Sequence, residues 1–180
     1  MSVKVNIFWL LLFGMSSFHV RRRDREIIDH LEMCQVLKAA KYVTIAICLN
    51  NEPYLVSLSH GYDEAKNCIY FHCASEGKKL VYMQANPMVW GQALLDYGVT
   101  NDCDYVYTSV HFSGKWFLIT DLEEKLYALK IIVYQSSKMP EEKLAKVKPE
   151  KLAQTTMGRI DITGMSGKKH PVLPKTLGNP

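Results

Sequence analysis

The sequence predicts a mainly β protein in which about six or seven antiparallel strands form a small barrel or strongly curled sheet, with about three peripheral helices. Three β-rich runs lie near residues 42–49, 53–60 and 67–74, and only short turn-forming stretches separate them. Two longer runs rich in β-branched and aromatic residues follow, at 88–97 and 105–119. Because no helix separates the first three runs, the βαβ crossovers of a doubly wound parallel sheet are missing.

The first helix is predicted directly after the basic run at 21–25. Asp24 has the side chain of a helix N-cap, since its carboxylate can accept from free backbone N–H groups. Apolar residues then recur at spacings of three and four and define one face: Ile27, Leu31, Cys34 and Leu37. This pattern predicts an amphipathic helix that packs on the sheet.

The other two helices follow strands. The second is predicted from about 77 to 85 and ends before Pro87, because the residue that precedes a proline avoids the α region. The third begins with Asp121 and Glu124 at capping-box spacing, and its predicted apolar face comprises Leu122, Leu126, Leu129 and Val133. Ser113 and Gly114 interrupt the long strand before it and predict a bulge. A connector at 136–151 leads to a last strand at 155–165.

The chain is expected to form one domain at 21–168, preceded by an extension at 1–20 and followed by a polar tail at 169–180. The extension carries an apolar run from Ile7 to Phe13, which is short of the roughly 20 residues that span a bilayer. A secretory signal is one interpretation, although no small-residue cleavage site follows the run. Translation from Met15 is the alternative that we favour.

Composition narrows the class of protein. The chain has 180 residues, 48% of them hydrophobic, and a formal net charge of only +4, so no dense basic surface indicates nucleic-acid binding. Its five cysteines show no CxxC or zinc-finger spacing. They are typical of free thiols in a reducing compartment, so we expect a cytoplasmic protein without a structural metal and without a stable membrane span.

Two adjacent lysines, Lys78 and Lys79, stand where the second helix is predicted to begin. Cations are disfavoured at a helix N-terminus, because the free N–H groups there already carry partial positive charge. A bound phosphate removes this conflict, with Ser75 as the helix cap and Gly77 allowing close approach of the backbone. The alternative is that both lysines are solvated surface groups.

Six motifs occur together in order along the chain. They are RRRDREI at 21–27, EPYLVSLSHGYD at 52–63, IYFHCASEGKKL at 69–80, NPMVW at 86–90, YTSV at 107–110 and DLEEKLYALK at 121–130. In this order and at these intervals they resemble the nitroimidazole-resistance branch of the pyridoxamine 5'-phosphate oxidase-like flavoproteins. The resemblance covers residues 21–168.

The resemblance implies an FMN-binding split β-barrel that forms a homodimer with flavin at the subunit interface. Lys78 and Lys79 match the segment that contacts the FMN phosphate in similar proteins, together with Gly77. His72 matches a histidine beside the flavin pocket and is the candidate catalytic group, with a hydrogen-bonded core histidine as its alternative. The remaining implied cofactor contacts are Val56, Ser57, Leu58, Ala74, Thr108 and Ser109. Many relatives have proline at position 57, and each hydroxyl has a structural role as its alternative.

Strand alternation separates His72 from its neighbour in the chain. Tyr70, His72 and Ala74 fall on one face of the strand, and Cys73 falls on the other, which disfavours a Cys-His nucleophile pair. Large apolar residues exceed what a monomer core requires and predict an isologous homodimer. These residues are Val89, Trp90, Tyr105, Tyr107 and Trp116.

The function that follows from the resemblance is that of an FMN-dependent oxidoreductase. It would reduce a small-molecule acceptor, such as a nitroaromatic of the 5-nitroimidazole type, with NAD(P)H or a reductase as the electron donor. A flavin- or haem-binding protein without turnover is the alternative, with His72 as a ligand of haem iron. Pyridoxamine 5'-phosphate oxidation is a third hypothesis, which we expect less because an extended C-terminal segment with arginine and histidine is missing.

Overall fold

The structure is a computed structural model and describes residues 20–172. Eight strands and five helices follow one another along them. The strands are β1 Glu26–Ile27, β2 Val43–Leu49, β3 Glu52–Leu58, β4 Gly61–Asp63, β5 Cys68–Cys73, β6 Met88–Val99, β7 Tyr105–Ile119 and β8 Thr156–Lys169. The helices are α1 His30–Ala39, α2 Lys78–Ala85, α3 Leu122–Ser136, α4 Pro140–Ala145 and α5 Pro149–Gln154.

All strands pair antiparallel in one sheet, in the order β3-β2-β6-β7-β8-β5-β4, with β1 paired to β8. Only residues 59–60 join β3 to β4, yet these strands are the two ends of that order. The sheet must therefore curl until its ends approach each other, although within the described part of the chain no strand pairing closes it. The predicted mainly β, strongly curled sheet is confirmed.

The inner surface of the curled sheet holds the main core. Its fully buried members come from β2, β5, β6, β7 and β8 and include Ile45, Ile69, Phe71, Ala93, Phe112 and Ile160. A second, smaller core lies on the outer surface of β5 and β8 under α3, and contains Cys68, Tyr70, Ala128, Ile132, Leu152 and Met157. The strand β5 thus contributes alternate residues to two different cores.

Close packing of α3 on β4 depends on one glycine. A Cβ on Gly61 would lie 2.7 Å from the backbone of Ile132, so only glycine lets the helix approach the strand this closely. The side chain of Gln135 also accepts a hydrogen bond from the backbone N–H of Tyr62, at 2.9 Å. The helix therefore covers the outer surface of β4 and β5.

The first helix starts later than the sequence predicts. Asp29, not Asp24, is its N-cap, and its carboxylate accepts from the N–H of Leu31 at 2.9 Å. Asp24 lies in a short 3-10 turn and pairs with Arg22. The reason is tertiary, because Ile27 pairs with β8 and is taken into the sheet. The prediction of Leu31 on the buried face is also wrong, since the buried residues of α1 are Met33, Cys34, Val36 and Leu37.

The third helix begins as predicted, with the Asp121 carboxylate accepting from the N–H of Glu124 at 2.7 Å. Its predicted apolar face is wrong in part, because Leu122 and Leu126 are exposed while Ala128 and Ile132 are buried. The bulge at Ser113 and Gly114 is confirmed by a register shift against β8. The connector at 136–151 contains α4 and the start of α5, which the sequence did not predict.

The ends of the predicted domain differ in how far the structure describes them. The extension at 1–20 lies outside the described residues, apart from Val20. At the other end the structure describes the first four residues of the predicted tail, 169–172. Lys169 is the last residue of β8 and pairs with Glu32, and His170 is buried with its Nε2 2.9 Å from Asp104 Oδ2.

Candidate flavin site

The segment between β5 and α2 is the first part of the candidate site. Gly77 is the N-cap of α2 and has φ +126°, a backbone conformation that L side chains rarely adopt. A Cβ at this position would meet no described atom within 4 Å, so the helix start opens onto free space. The prediction that Ser75 caps α2 is wrong, because the cap lies two residues later and makes no side-chain hydrogen bond among the described residues.

The start of α2 has backbone donors available for an anion. The N–H groups of Leu80 and Val81 bond to the carbonyl oxygen of Gly77, at 3.0 and 3.4 Å. The preceding two N–H groups, of Lys78 and Lys79, have no acceptor within the described part of the chain. Free donors at the positive end of a helix form an anion-binding arrangement.

Lys78 already has an anionic partner in this structure. Its Nζ lies 2.6 Å from Oε1 of Glu52 on β3, and it also lies 5.0 Å from the ring centre of Tyr54 and 5.1 Å from that of Tyr82. The hydrogen bond between Lys78 and Glu52 raises the pKa of Lys78 and lowers the pKa of Glu52. The carboxylate therefore offsets one of the two charges at the helix start.

Lys79 has a different environment from its neighbour. It is half-buried, and within residues 20–172 it has no ion pair. Burial raises the pKa of the Cys73 thiol, and the positive charge of Lys79 opposes this rise. Ala74, also predicted as a cofactor contact, is exposed just after β5. Lys79 is thus the cation at this turn that has no protein counter-charge.

The predicted residues of β3 lie on two faces. Val56 and Leu58 face the barrel interior and pack in the main core. Ser57 is exposed on the outer surface, where its Oγ lies 3.1 Å from Oγ1 of Thr44. In the described structure β3 pairs only with β2, so one edge of its backbone has no strand partner. Contacts from Val56 or Leu58 to a ligand outside the barrel would therefore be made by the backbone.

His72 is exposed, in contrast to the hydrogen-bonded core histidine that was its alternative. It lies opposite Met157 of β8, on the same face of β5 as Tyr70. Cys73 packs against the main core on the other face. The His72 side chain lines a cavity of about 270 Å³ between β5 and the connector, whose other lining residues include Leu129, Val147, Leu152 and Met157.

Thr108 and Ser109 lie on β7, which β2 and β6 separate from β3 in the sheet. Thr108 faces the interior, and its buried Oγ1 has no hydrogen-bond partner among the described residues. Ser109 lies on the opposite face, where it is only 4% exposed at the base of an open groove of about 590 Å³. Its other lining residues are Gln92, Leu94, Asp96, Tyr105, Tyr107, His111 and Lys168. A single chain therefore does not bring Thr108 or Ser109 next to the start of α2.

A polar row crosses the outer surface of the sheet, and sequence reasoning missed it. The strand register places Ser57, Thr44, Gln92, His111 and Ser166 side by side on five consecutive strands. The side chains of Gln92 and His111 lie 3.1 Å apart, and burial lowers the pKa of His111. The period-two pattern of β7 places His111 outward, but only strand pairing brings it beside the others.

The five large residues on which the homodimer prediction rests lie on two different faces of the sheet. Val89 and Trp116 are buried in the main core and are therefore not available to a second subunit. The outward residues of the set are Trp90, which is 43% exposed, Tyr105, which is 67% exposed, and Tyr107 in the groove. The alternation of β6 and β7 explains the division, since neighbouring residues point to opposite faces.

Two further properties apply only to the described residues. Among 20–172, no three His, Cys, Asp or Glu side chains lie together as a metal site would require. No helix in this part of the chain is long and apolar enough to cross a membrane.

Comparison with known proteins identifies the family. A family model described as "Pyridoxamine 5'-phosphate oxidase" matches residues 29–169. None of the curated proteins compared with the chain matches it. Among solved structures, a candidate 5-nitroimidazole antibiotic resistance protein from Bacteroides thetaiotaomicron superimposes with a TM-score of 0.67 and 26% sequence identity, covering 79% of this chain and 85% of that one.

Two more distant structures share the fold. A FAD-binding protein from Mesorhizobium loti has 24% identity and a TM-score of 0.60, and the match covers 81% of this chain and 97% of that one. A FAD and haem binding protein from Mycobacterium smegmatis has 14% identity and a TM-score of 0.70, over 84% and 76% of the two chains. The predicted split-barrel fold is thereby confirmed. With a family model that matches most of its length, the chain belongs to the pyridoxamine 5'-phosphate oxidase family.

Proposed function

We propose that this protein binds FMN and acts as an oxidoreductase. The observation that carries the proposal is the start of α2, where free N–H groups, an open Gly77 and the unpaired Lys79 converge. This arrangement suits a phosphate monoester, which needs several donors and positive charge. The neighbour at 26% identity is a candidate 5-nitroimidazole resistance protein, and a more distant one with the same fold binds FAD.

The residues at this turn fit a flavin phosphate, with one competing group. Lys79 and the two free N–H groups are available without rearrangement, whereas Lys78 is paired with Glu52 at 2.6 Å. This ion pair is exposed, and exposed pairs contribute little stability. A dianionic phosphate at the turn would therefore attract Lys78 away from Glu52, and Lys79 would hold it from the other side.

The ring system would lie outside the barrel, along the free edge of β3. Backbone groups of Val56 and Leu58 and the hydroxyl of Ser57 are the donors and acceptors on this strand. Ser109 lies on the same outer surface as Ser57, but on β7. We therefore propose a homodimer in which a second copy packs on this surface and supplies Ser109 to the flavin site.

Bound FMN supplies electron transfer to and from organic substrates. The protein's own contribution is to hold the phosphate at Lys78 and Lys79, to orient the ring against β3, and to present His72. His72 is exposed, so its imidazole is free to hold or deliver a proton to a bound acceptor. The acceptor would be a small molecule such as a nitroaromatic compound, with NAD(P)H or a separate reductase as the electron donor.

Haem or flavin binding without turnover is the second candidate function. It is favoured by the exposure of His72 beside a cavity, because an accessible imidazole is a common axial ligand of haem iron. The haem-binding neighbour has only 14% identity, and its likeness shows the fold alone.

The absorbance spectrum of the freshly purified protein separates these functions. Flavin bands that NAD(P)H bleaches support the oxidoreductase, and flavin bands that no donor bleaches support a carrier. A Soret band supports haem binding. A colourless protein that neither FMN nor haem reconstitutes would rule out both candidates.

A further inference from the structure

The cavity that His72 lines has both apolar and basic residues in its lining. It lies between the outer surface of β5 and β8 and the residues around α5, with a volume of about 270 Å³. Four of its lining residues are apolar, and they are Leu129, Val147, Leu152 and Met157. Leu152 and Met157 are buried in the second core, so the floor of the cavity is fixed by packing.

Three lysines and Thr155 complete the lining, and no acidic residue of the described part of the chain lines the cavity. Lys146, Lys148 and Lys151 lie within six residues of one another on and between α4 and α5. Among the described residues, Lys38, Lys78 and Lys169 have carboxylate partners. In the described part of the chain, none of the three cavity lysines forms an ion pair. Solvated surface lysines do not need an apolar cavity between them.

We infer that this cavity binds a small organic anion with an apolar body, such as an aromatic carboxylate. The apolar floor would bury the ring, and the lysines would hold the anionic group at the rim. The volume lies just below the range of about 300–1,000 Å³ for drug-sized ligands, so a single-ring molecule fits best. Because His72 lines the same cavity, an anion bound there would lie beside its imidazole.

A matched pair of probes tests the charge requirement. para-Nitrobenzoate and para-nitrobenzyl alcohol have nearly the same shape, and only the first is an anion. We expect para-nitrobenzoate to bind the full-length protein at least tenfold more tightly at low salt, a difference of about 1.4 kcal/mol, in isothermal titration calorimetry. The preference should shrink at high salt, because the rim charges are exposed and screened. Equal affinity for the two probes would overturn the inference.

Variants locate the site. Replacing Lys146, Lys148 and Lys151 with alanine should abolish the preference for para-nitrobenzoate. The control variant replaces Lys41, Lys130 and Lys143 with alanine. These lysines are exposed and do not line the cavity, and their replacement removes the same three positive charges. Val147→Trp should fill the cavity and weaken both probes without changing the charge. An identical loss in both triple variants would mean that net charge, not this cavity, attracts the anion, and would overturn the inference.

The imidazole signals of His72 in NMR give an independent readout. They should shift on addition of para-nitrobenzoate, and the shift should be absent in Val147→Trp. Binding that leaves these signals unchanged would place the probe elsewhere and overturn the inference. An FMN titration of the same samples tests the proposed function separately, since the cavity can bind the anion in a protein that takes up no flavin.

Discussion

At the scale of single residues, the two adjacent lysines at the start of α2 differ in their surroundings. The charge of Lys78 is balanced by Glu52 and by two aromatic rings, while Lys79 is half-buried and its charge opposes the rise in the pKa of the Cys73 thiol. Sequence alone treats them as a pair, because it contains no information about which strand lies beside the helix. The two positions should therefore respond differently to substitution.

Replacing both Lys78 and Lys79 with alanine should lower FMN affinity at least tenfold, since charge-assisted contacts contribute about 1.5–3 kcal/mol each. Riboflavin, which lacks the phosphate, should bind equally well to the wild type and to the double variant. Glu52→Gln should raise FMN affinity, because it removes the carboxylate that competes for Lys78. Fluorescence titrations with the two flavins measure these effects, and unchanged FMN affinity in the double variant would refute the phosphate assignment.

A buried histidine should make stability depend on pH. His60 is 2% exposed, and its Nε2 lies 2.8 Å from the carbonyl oxygen of Leu37, while its buried Nδ1 has no partner among the described residues. Burial lowers the pKa of His60 below its ordinary value of 6.5. Because the pKa is lowered by folding, the unfolded chain takes up the proton at a higher pH than the folded protein does. The contribution of neutral His60 to the free energy of unfolding is therefore present above about pH 6.5 and is lost as the pH falls toward the folded pKa.

The melting temperature should therefore fall from about pH 7 to about pH 5, and it should fall less in His60→Gln, which has no titrating group at this position. Thermal denaturation followed by circular dichroism at several pH values measures the difference. Parallel pH profiles for the two proteins would contradict the assignment to His60.

At the scale of elements, α3 shows which helix features are local. Its N-cap follows from Asp121 and Glu124, which are three residues apart, and the structure contains the hydrogen bond. Its buried face depends instead on what the helix covers. The helix packs closely on Gly61, which places Ala128 and Ile132 inward and leaves Leu126 exposed. The buried side includes Lys125 and Ala128, which an apolar pattern based on leucines does not predict.

Asp121→Ala should destabilise the protein by about 1 kcal/mol, because the N–H of Glu124 loses its acceptor. For a chain of this size the melting temperature should fall by about 2–4 °C. Asp102→Ala is the control, since Asp102 is exposed in a turn and its carboxylate accepts no hydrogen bond from the described residues. A melting temperature that is equally low in both variants would show that the cap contributes nothing specific.

At the scale of the whole molecule, the outer surface of the sheet exposes several large apolar side chains beside its polar row. Strand register places Leu55, Ala46 and Trp90 in one row across β3, β2 and β6, and Leu55 and Trp90 are 65% and 43% exposed. Leu94 lies on the same face of β6, four residues after Trp90 and beyond Gln92, and is 51% exposed. Exposed apolar residues on both sides of the polar row favour a second subunit on this surface.

Replacing Trp90 and Leu94 with glutamate should convert the proposed homodimer to a monomer, because two buried charges on each side oppose the interface. FMN affinity should fall when the dimer dissociates, if a second copy supplies Ser109 to the flavin site. Met139→Glu is the control, since Met139 is 57% exposed and lies in the connector at the start of α4, not on this surface. Light scattering gives the mass, and a wild-type monomer with bound flavin would contradict an interface-built site.

The sequence by itself determined the strand and helix types, the absence of crossovers between the early strands, the α3 cap and the motifs that identify the family. These properties depend on neighbours within a few residues or on the order of motifs. Which strands lie side by side was decided by the tertiary structure alone. Pairing of Ile27 with β8 moved the start of α1, Glu52 came to face Lys78, and the row from Ser57 to His111 formed across separate strands. Contacts between residues far apart in the chain depend on how the sheet curls, which no local pattern specifies.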